Sequence, residues 1–395
     1  MTTGPLAGIR VLDLGRIYQG PWAGLLMAMA GAEVVKVEPP HGDPARGRLG
    51  TEATVPFAML NSNKASITLN LKHDRGRQLM VALASAADVL LENFAPGVMD
   101  GLGVGPDVLM AANPRLVYAS ATGYGIDGPD RDRLAMDITV QAHTGVMSVT
   151  GFPDQPPVKA GVAFADFLGG THLYAGVVTA LFERERTGRG RVVDVAMVDA
   201  VYPTLASNLS SFYQFGSTPR TGNRHGGQSL APYNAYPTAD GGWVAIIIIT
   251  EDQWRRLTVA MGQPELGEDE RYRSNGRRVH RIEEVDGLVA EWTTSLPRHE
   301  LLDRCRQNRV PASPVREVSE VLEDEHLHQR GAIAHVEHPA LGDVVLPRSP
   351  IRFRGDPLPA IRPSVALGSD NDTVYRRWIG LGDDELAELR QAGVI

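Results

Sequence analysis

A single cysteine, Cys305, stands in a chain of 395 residues. No internal disulfide can close, and no thiolate cluster can hold a metal. Cys305 lies in a helical-looking stretch, LLDRCRQ, where it reads as a buried spacer rather than a nucleophile. Long apolar runs are also missing. The longest, near Trp243–Ile249, falls far short of the roughly 20 residues that cross a bilayer. The opening MTTGPLAGIR has no basic segment followed by an apolar one, so no secretory signal is expected. These absences point to a cytoplasmic protein with no membrane partner. Basic residues are outnumbered, 39 Lys and Arg against 47 Asp and Glu. That balance argues against a nucleic-acid partner, although a local cationic pocket needs only a few residues. No G-x-S-x-G elbow occurs, which removes the serine-hydrolase reading. His326 and His328 form the H-x-H of EDEHLHQ, but residues two apart on a helix do not face one another. A solvated charged face fits them better, and no metal site is expected.

What is present is ordinary globular material, 43% hydrophobic and 22% charged, in a chain long enough for two domains. The first forty residues read as strand, helix, strand. Ile9–Leu12 is a short apolar run, Gly20 and Pro21 mark a helix start, and Gly31 ends it before a second strand at 32–37. A βαβ unit implies parallel pairing. Short strands near 66–71, 88–91 and 116–120 alternate with helical patterns, the first opening at Asp74. The expected class is therefore α/β with a doubly wound, Rossmann-like sheet. Beyond it come a long helix over 167–185, a strand at 192–195 and a helix over 197–212. A glycine-rich linker or loop follows at 216–229, then a hairpin over 233–249 and a charged helical region to 307. A second linker is expected at 310–315 and a last helix near 383–391. This gives a large domain over 1–215, a small α+β domain over 225–330, and a return to the large domain over 331–395.

The βαβ start invites a dinucleotide reading, with Gly15, Gly20 and Gly24 in the first turn and Glu38 ending the second strand. The glycines are too far apart for the tight pyrophosphate turn. Asp166 is the more informative acid. It sits in VAFADFLGG among apolar and small residues, just ahead of the long apolar helix. One reading is a helix N-cap. The other is a carboxylate nucleophile, kept ionised by the helix N-terminus, with Gly169 and Gly170 allowing a ligand close to the backbone.

A set of segments in fixed order then carries a resemblance. They are GIRVLDLG, GAEVVKVEPPHGDPAR, LNSNKASITLNLK, ENFAPG, NPRLVYASATGYG, MDITVQAHTG, the Asp166 segment and RTGRGRVVDVAMVDA. RTGN, PYNAYPTADGGW and RVPASPV follow. Together they resemble the class III coenzyme A-transferases, a family that also contains α-methylacyl-CoA racemase, over essentially the whole chain. The resemblance implies an enzyme that moves CoA from an acyl-CoA donor to a carboxylic acid acceptor. Asp166 would be the nucleophile, passing through an aspartyl-acyl anhydride and an aspartyl-CoA thioester. CoA and acyl-CoA would be substrates, with no permanently bound cofactor. Tyr18, Gln19 and Gly20 would touch CoA near the active site, and Lys72, Asn93 and Phe94 would line its nucleotide and pantetheine path. For Phe94, plain core packing stays open. Family members form an interlocked homodimer of ring-like chains, so a homodimer is expected here.

The chain departs from the family pattern at Ala65, Ala95 and Gly101, where basic residues are common. The phosphates would then rely on Arg46, Arg48 or Lys64. Near the C-terminus, Leu367–Asn371 reads LGSDN, which leaves the contacts of that segment open. The racemase branch needs a second acid–base group, a histidine before the aspartate of MDITVQ. Met136 stands there and carries no exchangeable proton, and His143 is six residues beyond Asp137. A transferase is therefore expected over a 2-methylacyl-CoA racemase or epimerase. An idle CoA-binding protein is the remaining alternative. Asp137 either binds substrate, orients a partner or caps a turn.

Overall fold

The computed structural model describes residues 4–47 and 53–395. The chain divides into two compact units. The first comprises 1–140, 162–202 and 324–395; the second comprises 141–161 and 203–323.

The first unit is built on six parallel strands: β1 (Arg10–Asp13), β2 (Glu33–Glu38), β3 (Ala65–Thr68), β4 (Val89–Glu92), β5 (Val117–Thr122) and β6 (Val192–Ala196). Their order is β3-β2-β1-β4-β5-β6. The order reverses between β1 and β4, which pair in register Val11↔Val89 to Asp13↔Leu91. In open parallel sheets that reversal opens a crevice at the strands' carboxyl ends, where ligands bind. Both faces are covered, which is why the strands read as continuous apolar runs. On one face, Leu12, Val35, Ile67, Leu90 and Tyr118 pack with Leu79, Leu83, Leu109, Trp378 and Leu386. On the other, Val11, Val34, Val89, Leu91 and Ala119 pack with Ala23, Met27, Leu173, Val177 and Leu181. Each fully buried aliphatic side chain contributes about 1.5–3 kcal/mol to holding these layers.

Two helices on the second face position the site, α1 (Gln19–Met29) and, further along the chain, the 24-residue helix Phe164–Thr187. The latter buries Ala165, Gly169, Leu173, Val177 and Leu181, a stripe at helical spacing. Gly188, at φ 72°, ends it in the left-handed conformation that glycine takes without strain. The long helix begins three residues earlier than the apolar pattern suggests, so Asp166 lies inside its first turn rather than ahead of it. Pro203 breaks the helix expected over 197–212 into Met197–Val201, a short 3-10 turn and Ala206–Phe215.

The tail closes the edge strand. Asn371 Oδ1 accepts from the Thr68 N–H at 2.9 Å, Asp370 Oδ2 from the Ser66 N–H at 2.9 Å, and the Tyr375 hydroxyl donates to the Thr68 carbonyl at 2.8 Å. The LGSDN segment thus has a definite task, satisfying backbone groups that an edge would leave open. A hairpin, Ile333–His338 with Gly342–Pro347, was not foreseen, nor was the helix Asn371–Ile379.

The second unit holds a three-stranded antiparallel sheet, Tyr233–Pro237, Trp243–Ile247 and Ala312–Pro314. The segment expected as a linker at 310–315 is therefore that sheet's third strand. Helices Glu251–Ala260, Ile282–Thr294 and Arg298–Gln307 cover it around Trp254, Val289, Leu301 and Cys305. Burial pushes the Cys305 thiol up to about 12, so it is inert as a nucleophile. The glycine-rich segment at 216–229 is tethered. Arg224 pairs with Glu283 at 2.6 Å and with Asp286 at 2.8 Å, and Arg220 donates to the carbonyls of Phe152, Pro153 and Gln155. Among the described residues no helix is long and apolar enough to cross a membrane, and no three metal-ligating side chains gather.

Candidate active site

The site grows from the start of the long helix. Its N-cap, Ala163, has no side chain to accept a hydrogen bond. Asp137 supplies the missing acceptor from 28 residues away, with Oδ1 taking the Ala165 N–H at 2.8 Å and the Asp166 N–H at 3.4 Å. Asp137 itself opens a short helix, Asp137–His143. The capping task suspected of Asp166 therefore belongs to Asp137, and Asp166 stands at the third helical position. Two carboxylates meet at one helix start. Burial first, and the Asp137 charge second, push the Asp166 carboxyl up to about 7. The expectation that the helix N-terminus alone keeps Asp166 fully ionised is corrected by these two opposing effects.

Around Asp166, α1 crosses very closely. A Cβ on Gly169 would fall 2.5 Å from Gln19 Nε2, and one on Gly170 would fall 2.4 Å from the Gln19 carbonyl oxygen. The paired glycines thus admit α1 against the long helix. Phe167 stacks with Tyr18 at 6.1 Å and meets Trp22 edge-on at 5.2 Å. Trp22 Nε1 donates to Thr171 Oγ1 at 3.1 Å. Gln19 is 2% exposed, and its Nε2 finds no acceptor among the described residues. It lies against Gly169, one turn along from Asp166 on the same helix side. An unpaired buried amide is costly, and here the donor lies about one helical turn from the Asp166 position. Tyr18 and Gln19 are thus brought to the first turns of the helix that carries Asp166, where Asp137 also lies, whereas Gly20 packs on Gly15 and Asn93.

Lys72 and Phe94 gather elsewhere, in a cleft at the carboxyl ends of β1 to β4, whereas Asn93 lies against Gly20. A cleft of about 740 Å³ is lined by Arg16, Glu38, His41, Lys72 and Phe94. The Arg16 guanidinium lies 4.7 Å over the Phe94 ring, a cation–π contact, and Phe94 both lines the cleft and packs against the core beneath it. Arg16 was missed in the sequence; its position one residue after Gly15 of the first turn was the available signal. Asn93 has its amide bound to the Arg16 backbone, with Oδ1 accepting from N–H at 2.6 Å and Nδ2 donating to the carbonyl at 3.0 Å. Just before it, buried Glu92 accepts the Phe94 N–H at 2.8 Å, and burial pushes its carboxyl up to about 7.

The cations proposed to replace Ala65, Ala95 and Gly101 are otherwise occupied. Arg46 grips Glu38 through two bonds of 2.7 Å and stacks 4.0 Å over Phe57. Lys64 is buried against Asp13 at 2.7 Å, with burial lowering its pKa to about 8. Arg48 lies outside the described residues. The same contacts dispose of the dinucleotide reading, because Glu38 is taken by Arg46, Asp43 and Ser66.

The fold and site are thus a doubly wound parallel sheet with a cleft at the carboxyl ends of its strands and a half-buried carboxylate in the first turn of a covering helix. The chain belongs to CoA-transferase family III, whose description matches residues 6–371, and it is an enzyme of that class. It is 38% identical to a formyl-CoA:oxalate CoA-transferase of Streptomyces coelicolor, with 100% of both chains covered. It is 37% identical to a succinyl-CoA–D-citramalate CoA-transferase of Chloroflexus aurantiacus, over 99% of this chain and 98% of that one. Among solved structures, a CaiB/BaiF family protein of Brucella suis superposes with a TM-score of 0.83 at 34% identity, over 96% of this chain and 100% of that one.

Proposed function

We propose that this transferase moves CoA from a small acyl-CoA to a small carboxylic acid, most simply a short dicarboxylate, with Asp166 as the nucleophile. The observation that carries it is the Asp166 carboxylate in the first turn of the long helix, beside the unpaired Gln19 amide. Ionised Asp166 attacks the thioester carbonyl. The C–S bond breaks, CoA leaves as thiolate, and a mixed anhydride remains on the enzyme. The thiolate then attacks the aspartyl carbonyl, the donor acid leaves as carboxylate, and Asp166 carries CoA as a thioester. The acceptor carboxylate runs both steps in reverse. No proton or electron is consumed overall, and thioester energy is conserved. Gln19 Nε2 is placed to donate to the oxygen on which charge develops.

Arg16, Lys72 and Phe94 give the nucleotide end of CoA a cationic and aromatic cleft. Tyr18, Gln19 and Gly20 line the passage to Asp166. Asp137 starts the helix and tunes Asp166. The relatives act on formyl-CoA with oxalate and on succinyl-CoA with D-citramalate, which favours small, highly carboxylated acids here. Met136, 59% exposed, offers no proton acceptor in place of the racemase histidine. The chain acts as a cytoplasmic homodimer, interlocked as the resemblance implies, with no resident cofactor; size-exclusion with light scattering reads the dimer.

The test is mass spectrometry after incubation with succinyl-CoA. Wild type gains the mass of an aspartyl-CoA adduct, located to the Asp166 peptide, and exchanges CoA with a panel of dicarboxylates. Asp166→Asn binds CoA but forms no adduct. Equal exchange by both proteins excludes Asp166 as nucleophile. Rapid α-deuteration of a 2-methylacyl-CoA in heavy water, with no acceptor acid present, excludes the transferase assignment.

A further inference from the structure

We propose that Asn93 is a positioning residue of the transfer reaction, holding through the Arg16 backbone the turn that presents Gln19 beside Asp166. This rests on the reading of Asp166 as nucleophile. The turn Gly15–Tyr18 is strained at one point. Ile17 has φ 63°, and it is the one β-branched residue among the four non-glycine residues described with positive φ, the others being Asn63, Gln228 and Arg309. A β-branched side chain in the left-handed region is a true outlier, kept only where its surroundings over-determine it.

The surroundings do so from every side. Asp13 Oδ1 accepts the Gly15 N–H at 2.9 Å, Lys36 Nζ donates to the Gly15 carbonyl, and Lys64 Nζ donates to the Pro21 carbonyl at 2.8 Å. Gly15 and Gly20 touch so closely that a Cβ on either would fall within 2.8 Å of the other's Cα. Asp13, Lys36 and Lys64 are also held in buried ion pairs, Lys36 with Asp43 and Lys64 with Asp13. They are parts of the core. Asn93 is different. It is half-buried, belongs to no ion pair, and holds both backbone groups of the residue immediately before Ile17. Tyr18 and Gln19 follow Ile17 directly, and Gln19 enters the helix with its amide set against Gly169. The side chain of Arg16, meanwhile, lies on Phe94 in the cleft wall. One asparagine thus ties the cleft wall to the turn beside Asp166. The Asn93 amide is directed to the Arg16 backbone.

The test is kinetics of Asn93→Ala with and without Ile17→Gly, which removes the strain because glycine takes positive φ freely. Asn93→Ala is expected to lower kcat by about 10- to 100-fold, the loss that misplacement of a reacting group produces. KM and Kd for acyl-CoA should stay within about two-fold, a change smaller than loss of a direct hydrogen bond to the ligand produces. Adding Ile17→Gly should restore kcat by about 5- to 30-fold, since the turn no longer needs the clamp to stay left-handed. Should Asn93→Ala be insoluble, Asn93→Asp keeps the volume and the Arg16 N–H acceptor but faces the Arg16 carbonyl with an oxygen. It should lose kcat and regain it in the same way. A raised Kd with unchanged kcat, or a kcat loss that Ile17→Gly does not recover, overturns the proposal. Failure of the Asp166 reading is a separate outcome, namely an Asp166→Asn protein that still exchanges CoA, whatever the Asn93 variants do.

Discussion

Asp137→Asn separates the two tasks that the geometry gives Asp137. Asparagine keeps Oδ1, so it still accepts from the Ala165 and Asp166 N–H groups, and Asn caps helices about as well as Asp. The helix start therefore stands. The negative charge beside Asp166 goes. Burial is the larger cause of the rise of the Asp166 carboxyl to about 7, and the Asp137 charge is the second. Removing the second alone brings the Asp166 pKa down by about one pH unit, the low end of what a neighbouring like charge does. Asp166 must be ionised to attack, and kcat/KM reports the free enzyme. The acidic limb of log kcat/KM against pH should then move about one unit to lower pH. At pH 6 the variant should be faster than wild type by about five-fold, and at pH 9 the two should agree. The assay is initial-rate CoA exchange from succinyl-CoA between pH 5 and 9. Asp137→Ala serves as contrast, because it shifts the limb equally but loses the cap, about 1 kcal/mol of stability. An acidic limb that stays in place in Asp137→Asn, with a wild-type melting curve, refutes the assignment of Asp137 as the charge that tunes Asp166.

Other outcomes follow from the same contacts. Because the folded-state pKa of Asp166 is raised, the stability tied to its protonated form is present below its unfolded pKa and lost as pH rises through about 7. Asp166→Asn, which does not titrate, should be more stable than wild type by about 2–4 kcal/mol at pH 8, with the gap narrowing through pH 7 and gone near pH 4; urea unfolding across that range checks it. Arg16→Ala should raise the acyl-CoA KM about ten-fold, through loss of a cation in the cleft and its place on Phe94, whereas a KM unchanged in Arg16→Ala removes Arg16 from the CoA path. Lys64→Met should act on stability instead, costing about 3–5 kcal/mol in chemical denaturation by leaving Asp13 buried without its partner.

Much of the first unit was legible because its signals are local. The apolar runs of β1, β2, β4 and β5 and the glycines between them are short-range consequences of a sheet covered on both faces. The tail and the 310–315 segment were harder to read for the opposite reason. Ala312–Pro314 is a strand only because Val244–Ile246 pairs with it from far away in sequence, and two prolines disguise it as a linker. Asp370 and Asn371 gain their meaning from Ser66 and Thr68, some three hundred residues earlier.

The site divides in the same way. Sequence alone determined the chemistry available: one carboxylate among small and apolar residues at Asp166, a single cysteine, and, through the family resemblance, a methionine where a second base would stand. Tertiary structure decided what each group does. It made Asp137 the cap and Asp166 the half-buried acid, turned Gly169 and Gly170 into the contact with α1, and bound Arg46 and Lys64 into ion pairs. It also set Asn93 on the Arg16 backbone. The physical reason is that burial and partner choice set the protonation and reach of a polar side chain, and both are properties of neighbours that sequence spacing does not contain.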